Sequence, residues 1–414
     1  MQADSANKEL LSSCESTTLL VSQPLPVMLS VATIVGAFSL VVWVYLTLAR
    51  GLFWRIPRSK PTLPSDPISQ LSVAAVIPAR DEAAVIGSVV ETLLNQRGVR
   101  FPVFLVDDGS TDGTAVVARS AAEKLGKSDQ LTVIESSPPP PGWTGKLWAL
   151  RQGIERARAA RPQWLLLADA DVVQGELTVS TLAAIATGGR YDLVSYMVRL
   201  HCSSLAEKLL IPAFVYFFFK LYPPAWIRDE KNRTAGAAGG CVFLRTDALV
   251  RAGGVDAIRG EIIDDCSLAR LIKQHGGRLW LGLSDDSHSI REYQTFSAVE
   301  RMVSRTAFNQ LNHSSLALLG TVVGMALTYL VPPLLLLSGA LLPTALGAAA
   351  WALMFVTYLG MVRYYRLGAH WALTLPVAAL FYVAATMHSA LKYWTGTGGE
   401  WKGRVRSAAP TKLY

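Results

Sequence analysis

Charge is scarce in this chain: Asp, Glu, Lys and Arg make up 17% of it, against 51% apolar residues. That imbalance points toward the membrane. The net charge is +8, yet the chain has no Lys/Arg run and no basic–aromatic interleaving. Nucleic acid is thereby excluded as a partner, and the surplus reads as a bias toward a membrane surface. Cys14, Cys202, Cys241 and Cys266 are scattered without CxxC spacing, which leaves no paired framework and suggests reduced thiols facing the cytosol. No GxGxxG follows a strand-like run, and Gly145-Lys146-Leu147 lacks the Walker spacing. Dinucleotide and P-loop readings fall away.

What the chain has instead is long apolar blocks. Pro26–Ala49 is long enough to cross a hydrocarbon core of ~30 Å. Only Lys8 precedes it, whereas Arg50, Arg55, Arg58 and Lys60 follow. A cleaved signal would carry its charge in front, so the block reads as an anchor (26–49). The positive-inside rule puts residues 1–25 outside and the main domain in the cytoplasm, as in a bacterial-type inner membrane. Residues 50–70, Pro-rich toward their end, read as a linker. Apolar blocks return at Leu316–Leu337 (interrupted by Pro332-Pro333), Leu341–Met361 and Trp371–Leu391, a membrane region spanning 315–391. Arg363 and Arg366, and then Lys392, Lys402, Arg404 and Arg406, all favour the cytoplasmic side. Those demands conflict if the last block crosses fully. Pro376 and His388 suggest a re-entrant or tilted segment before the tail 392–414.

Between the blocks lies an α/β pattern. Leu71–Ile77 is a β-branched strand that Pro78 should stop, followed by charged Arg80-Asp81-Glu82. Val85, Ile86, Val89, Val90, Leu93 and Leu94 keep helical spacing. Val103–Val106 runs into Asp107-Asp108-Gly109-Ser110-Thr111-Asp112-Gly113, a tight turn that caps a helix over Ala115–Leu125. Leu131–Ile134 is a third strand, and the series is a parallel, right-handed βαβ arrangement.

The centre of this half is Trp164-Leu-Leu-Leu-Ala-Asp169-Ala-Asp171. Four apolar residues form a buried strand, and open α/β sheets bind ligands at the carboxyl edge of such strands. Two carboxylates at ~5 Å repel by roughly 3 kcal/mol at an effective dielectric near ~20. A hard divalent cation would cancel that and leave positions for phosphate oxygens; an acidic helix-capping turn is the alternative. Asp107 or Asp108 can accept from a pyrimidine N–H or a ribose hydroxyl, or cap the turn. Arg80 and Lys146 lie on neighbouring loops and suit a diphosphate. Farther on, Asp264 and Asp265 head a helical stripe of Leu268, Leu271 and Ile272.

Pro78-Ala-Arg80-Asp81-Glu82, Val106–Gly113, Gly145-Lys146, Asp169-Ala-Asp171, Gly239-Gly240 and Asp264-Asp265 with Leu268 resemble, in order, the motifs of family 2 glycosyltransferases. The resemblance covers residues 71 to about 310. Gly142–Leu150 and Arg305–Leu311 look like the membrane glycosyltransferases associated with hopanoid biosynthesis, with ceramide glucosyltransferases more distant. It implies a GT-A catalytic domain over 71–295, with a mostly parallel sheet, that transfers a sugar with inversion. Its donor is a nucleotide sugar bound with Mg²⁺ or Mn²⁺. Pro78, Ala79, Arg80, Glu82, Asp107, Asp108, Lys146 and Asp169 belong by that resemblance to the donor site, with Asp169 and Asp171 holding the metal. Asp265 is the implied general base, beside Asp264 where the family usually has Glu. Direct displacement needs no protein nucleophile, so the lack of a Ser–His or Cys–His pair costs nothing.

Residues 296–314 should form an amphipathic interface helix. The family's Gln/Arg-x-x-Arg-Trp survives there only as Arg305, a leaving-group contact or a surface charge, which disfavours polymer synthesis. Ala206–Arg228, with Phe214–Phe219 between Lys208 and Lys220, reads as a helix on the bilayer surface that brings in a lipid acceptor; a buried core helix is the alternative. Trp401-Lys402-Gly403-Arg404 resembles endings of related enzymes, which places Trp401 and Arg404 near the donor diphosphate; a membrane-surface anchor is the other reading. The favoured function is transfer of a sugar to a membrane lipid, with a hopanoid the leading candidate. A processive polysaccharide synthase or an inactive membrane scaffold are the competing readings.

Overall fold

The computed structural model describes residues 25–59 and 71–396. The strands are β1 Val73–Ala79, β2 Val103–Asp107, β3 Leu131–Glu135, β4 Trp164–Ala168, β5 Val172–Val173, β6 Leu193–Arg199, β7 Cys241–Arg245 and β8 Leu279–Ser289. They form one sheet in the order β3-β2-β1-β4-β7-β6-β8-β5. The first four are parallel, as the βαβ pattern requires. Beyond β4 the sheet is mixed: β7 runs antiparallel to both β4 and β6, while β6 and β8 are again parallel.

Strand β1 does not stop at Pro78. Its pairing with β4 ends at Val76↔Leu167, whereas its pairing with β2 continues through Pro78↔Val106 to Ala79↔Asp107. Proline is tolerated where one edge of the strand makes no further ladder.

The helices that matter to the site are α1 Leu25–Leu48, α2 Ala83–Leu94, α3 Thr114–Lys124, α4 Gly145–Ala157, α5 Thr178–Gly189, α6 Leu205–Leu221, α7 Asp264–Gln274 and α8 Phe296–Ser304. They are followed by α9 Ser315–Met325, α10 Leu341–Tyr364 and α11 Leu375–Trp394. Alternate residues of β1 feed two cores. Val73, Ala75 and Ile77 pack with α2, α3 and α5 on one face. Ala74 and Val76 face α4 and α6 on the other, and that core continues without a break to Trp43, Tyr329, Tyr358 and Tyr382 of the apolar helices. Because both faces are covered, the strands read as apolar runs rather than as alternation.

Five segments are long and apolar enough to cross a membrane: Leu29–Leu48, Leu205–Arg228, Ser315–Leu335, Leu341–Tyr364 and Ala369–Trp394. The second is different in kind. Leu210, Ile211, Ala213, Val215, Tyr216 and Phe219 are buried; Tyr216 Oη meets Thr357 Oγ1 at 2.9 Å, and Tyr382 Oη donates to Leu210 O at 2.8 Å. A surface-lying helix is therefore not what forms; α6 is a core helix wedged between sheet and apolar helices. In Ser315–Leu335 a π-helical stretch, Ala326–Leu330, precedes the two prolines, and its carbonyls at Leu327 and Thr328 accept from Ser39 and Trp43 of α1. Pro376 falls in the first turn of α11, where it does not interrupt the helix.

The segment expected as linker is packed where it is described. Phe53 is fully buried and Leu283 N donates to Pro57 O at 3.0 Å. The expected 296–314 helix is broken after Ser304, and Phe308 N donates to Ser389 Oγ of α11 at 3.0 Å instead of continuing the helical ladder.

Gly153 of α4 sits against the sheet, where a methyl group would lie 2.8 Å from Val106 Cγ2 and closer still to Val76 Cγ1. Overpacking typically costs about 1–3 kcal/mol, more than the ~1 kcal/mol alanine gains over glycine in a helix. Gly153→Ala should lower the thermal unfolding midpoint in detergent. A raised midpoint would show that the β-branched neighbours yield.

Candidate active site

The carboxyl ends of β1 and β4 open into a cleft of about 940 Å³. At its base, α4 presents Lys146 from its first turn, which Thr144 caps by accepting from Leu147 N at 3.3 Å. Lys146 Nζ lies 2.9 Å from Asp169 Oδ1 and 3.1 Å from Asp264 Oδ2. Burial alone would depress the lysine, but the two aspartates outweigh it and hold its pKa above the ordinary value. Burial likewise opposes ionisation of Asp169, and Lys146 reverses the sign, keeping that carboxyl low.

Asp265 adjoins this group at the head of α7. Its Oδ2 accepts from Gly239 N at 2.8 Å and its Oδ1 from Cys266 N at 2.7 Å. Burial, with Asp264 beside it, pushes Asp265 up to about 6. Gly239 matters through its missing side chain: a Cβ there would face Asp265 Oδ2 at 3.4 Å, Lys146 Nζ at 3.5 Å and Asp169 Oδ2 at 3.6 Å. Three charged groups thus converge on one open point.

A second neutralised set lies alongside. Arg291 pairs with Glu82 and, at 3.1 Å, with Asp171, whose Oδ2 also accepts from Ser289 Oγ at 2.8 Å. Burial disfavours the guanidinium, but Asp171 and Glu82 raise its pKa. Asp169 and Asp171 each already face a protein cation, so their mutual repulsion does not by itself require a metal. Each aspartate still keeps one carboxylate oxygen, Asp169 Oδ2 and Asp171 Oδ1, with no hydrogen-bond partner among the described residues. Hard oxygen donors of this kind fit Mg²⁺ or Mn²⁺, which take one or two carboxylates and complete their shell with phosphate and water. Among the described residues no group of three or more His, Cys, Asp and Glu is set to hold a metal.

Pro78, Arg80, Glu82, Asp169, Asp171, Asp264, Asp265 and Arg305 all line the cleft together with Lys146. Ala79, Asp107 and Asp108 do not. Ala79 O accepts from Asp108 N at 2.8 Å, and Asp107 Oδ1 accepts from Ser110 N at 2.8 Å, the turn-capping alternative. The Asp108 carboxylate is buried 3.8 Å from Arg80. Trp401 and Arg404 lie outside the described residues.

Sequence reasoning missed Arg291 and the group that positions its loop. Glu207, fully buried, accepts from Tyr293 N at 2.7 Å, from Ser203 N and Ser204 N at 2.9 Å, and contacts His201 Nδ1 at 2.9 Å. The capping box Ser204-Leu-Ala-Glu207 was the legible signal for it; nothing in the sequence pattern marks Arg291.

Residues 70–300 match the family described as "Glycosyltransferase like family 2". The chain belongs to that family. Two curated relatives, the 4,4'-diaponeurosporenoate glycosyltransferases of Staphylococcus aureus strains bovine RF122 / ET3-1 and MRSA252, are 36% and 35% identical over 102 residues. Those matches span 24% of this chain and 24% of each relative, so the chain aligns with about a quarter of their length. Among solved structures, a mannosyltransferase from Pyrobaculum calidifontis in complex with GDP-Man and Mn²⁺ superposes with a TM-score of 0.53 at 17% identity. The superposition covers 86% of this chain and 99% of that one. Together with the mixed α/β sheet, this likeness makes the fold of this family member GT-A.

Removing Lys146 leaves Asp169 and Asp264 without their cation. In a fully buried pair this costs about 3–5 kcal/mol; solvent reaches this cleft, so the expected loss for Lys146→Met is about 1–3 kcal/mol. Without the lysine, Asp169 loses the charge that keeps its carboxyl low, so the deficit is largest at neutral pH, where the carboxylate is charged, and shrinks as protonation removes the charge. In chelator, Lys146→Met should unfold earlier than the parent by a wider margin at pH 7.5 than at pH 5. An equal margin at both would deny the pairing.

Proposed function

We propose that this family 2 enzyme moves a sugar, with inversion, from a nucleotide-diphosphate donor to a hydroxyl of a membrane lipid. The observation that carries this reading is the two-sided cleft: one wall is the Lys146–Asp169–Asp264–Asp265 cluster, and another is formed by Phe214 and Phe218 of α6, the helix that packs on the apolar helices. Such a cleft offers a charged donor and an apolar acceptor a common meeting point.

In this reading Lys146, Arg80 and Arg305 face the diphosphate, with Pro78, Ala79 and Glu82 framing the donor loop and Asp107 and Asp108 holding its turn. Asp169 and Asp171 would hold Mg²⁺ or Mn²⁺, which as a Lewis acid stabilises the leaving diphosphate. Asp265 takes the proton from the acceptor hydroxyl as its oxygen attacks the anomeric carbon. The bond from that carbon to the diphosphate oxygen breaks, and the electron pair leaves with the nucleoside diphosphate. A base poised near 6 is ionised at neutral pH and still basic enough to accept the proton. Trp401 and Arg404 of the tail would lie close to the diphosphate. Residues 71–295 act as the catalytic unit on the cytoplasmic side of an inner membrane, with the anchor at 26–49, the interface segment at 296–314 and membrane helices over 315–391. A hopanoid is the leading acceptor, on the resemblance of Gly142–Leu150 and Arg305–Leu311; relatives named as diaponeurosporenoate glycosyltransferases support an acceptor of lipid character.

Incubating purified protein with labelled nucleotide sugars and total membrane lipid should move label into the organic phase. Label that accumulates only in water-soluble polymer would favour a polysaccharide synthase. Asp265→Asn should still bind donor but transfer about 100- to 10,000-fold more slowly. In the parent, the rate should rise with pH through about 6, as Asp265 ionises; a flat profile between pH 5 and 7 would remove Asp265 from this role.

A further inference from the structure

Helix α8 turns one face into the cleft. Ala298, Arg301, Met302 and Arg305, spaced as neighbours on a helix surface, all line it. The helix is not free to rotate. Val299 and Val303 are buried on its other side, and Glu300 holds His388 at 2.7 Å and Lys392 at 3.6 Å on α11. The two arginines are therefore presented to the cleft by the packing.

They differ from its other cations. Lys146 has Asp169 and Asp264, Arg291 has Asp171 and Glu82, and Arg80 has Asp81 and Asp108. Arg301 donates only to Ser297 Oγ, at 2.6 Å, and among the described residues no carboxylate lies within 4.0 Å of Arg301 or Arg305. Arg305, which follows the last residue of α8, shares the cleft with Lys146 and Asp169. Arg301 stands one turn back, ~5.4 Å along the axis, on the same face as Met302 and across a cleft that includes Phe214 and Phe218. An exposed guanidinium with no carboxylate partner among the described residues, in a cleft with an apolar wall, matches a molecule with a hydrocarbon body and an anionic group.

Building on the lipid-acceptor reading above, we propose that the acceptor is an acidic lipid: its carboxylate or phosphate pairs with Arg301 and its chain lies along Phe214, Phe218 and Met302, while a separate hydroxyl reaches Asp265. Arg301 is then the residue that selects among acceptors, and Arg305 serves the donor.

The test uses the full chain in phosphatidylcholine bilayers with a donor it accepts. The acceptors are a long-chain diol, the hydroxy acid of equal length and the corresponding hydroxyalkyl phosphate. Wild type should favour at least one acidic acceptor over the diol by about tenfold in kcat/KM, through a lower KM, and the two acidic arms tell carboxylate from phosphate. Arg301→Gln should bring that ratio to about one by raising the KM of the acid, and Arg301→Lys should keep part of it, charge without the planar fork. Retained nucleotide-sugar binding shows that the variants are folded. Equal use of all three acceptors by wild type, or a preference that survives Arg301→Gln, would overturn the proposal. So would an Arg301 effect that appears only when phosphatidylglycerol is added, since the arginine would then be reading the bilayer. If bound donor is transferred to none of the three, the lipid-acceptor reading falls as well; if it is transferred without charge preference, only the acidic-lipid inference falls.

Discussion

Lys146 holds the site together. One ammonium joins the N-terminus of α4, the carboxyl end of β4 through Asp169 and the N-terminus of α7 through Asp264. Three elements distant in sequence are thereby drawn to one point of the sheet edge. The pairing also sets the chemistry next door. Asp264, beside the lysine, adds to burial in raising Asp265, while Lys146 itself pulls the other way. Asp265 rests between those influences, near the pH at which a carboxylate both exists and accepts a proton readily. Arg291 repeats the device with Asp171 and Glu82, so each member of the Asp169/Asp171 pair faces a protein cation.

The second constraint is a shared core. Apolar side chains run from the sheet through α6 into the apolar helices without a polar layer between them. The face of the sheet that bears the cleft and the apolar helices therefore cannot shift independently without breaking contacts such as Tyr216 with Thr357 and Phe308 with Ser389. The cleft lies where these two parts meet. Its chemistry follows from that position, with fixed charges on one wall, phenylalanines on another and the arginines of α8 at their junction.

Much of this was legible from local pattern. The apolar runs that end in Glu82, Asp108 and Asp169 announced three parallel strands, since a strand covered on both faces needs no alternation. The apolar helices at both ends followed from the length and composition of their blocks. What escaped depended on partners far along the chain. Pro78 lies inside a strand because β4 stops pairing first. Val215, Tyr216 and Phe219 of the aromatic run are buried because α10 and α11 return to cover them, which the charges at Lys208 and Lys220 do not foretell. The acid pair at Asp169 and Asp171 suggested an unmet need for cations, yet Lys146 and Arg291 supply them from the first turn of α4 and from beyond β8. Arg291 follows the last strand with no motif around it, so only the fold could reveal it.

The proposed transfer is a direct displacement at the anomeric carbon, with one protein base and no covalent intermediate. The anomeric configuration of the glycolipid product, read by the proton coupling of its anomeric centre in NMR before any equilibration, tests this most directly. Inversion relative to the nucleotide sugar is the predicted result. Retention would contradict it, because a second displacement would then require a nucleophile that the cluster around Asp265 was not assigned.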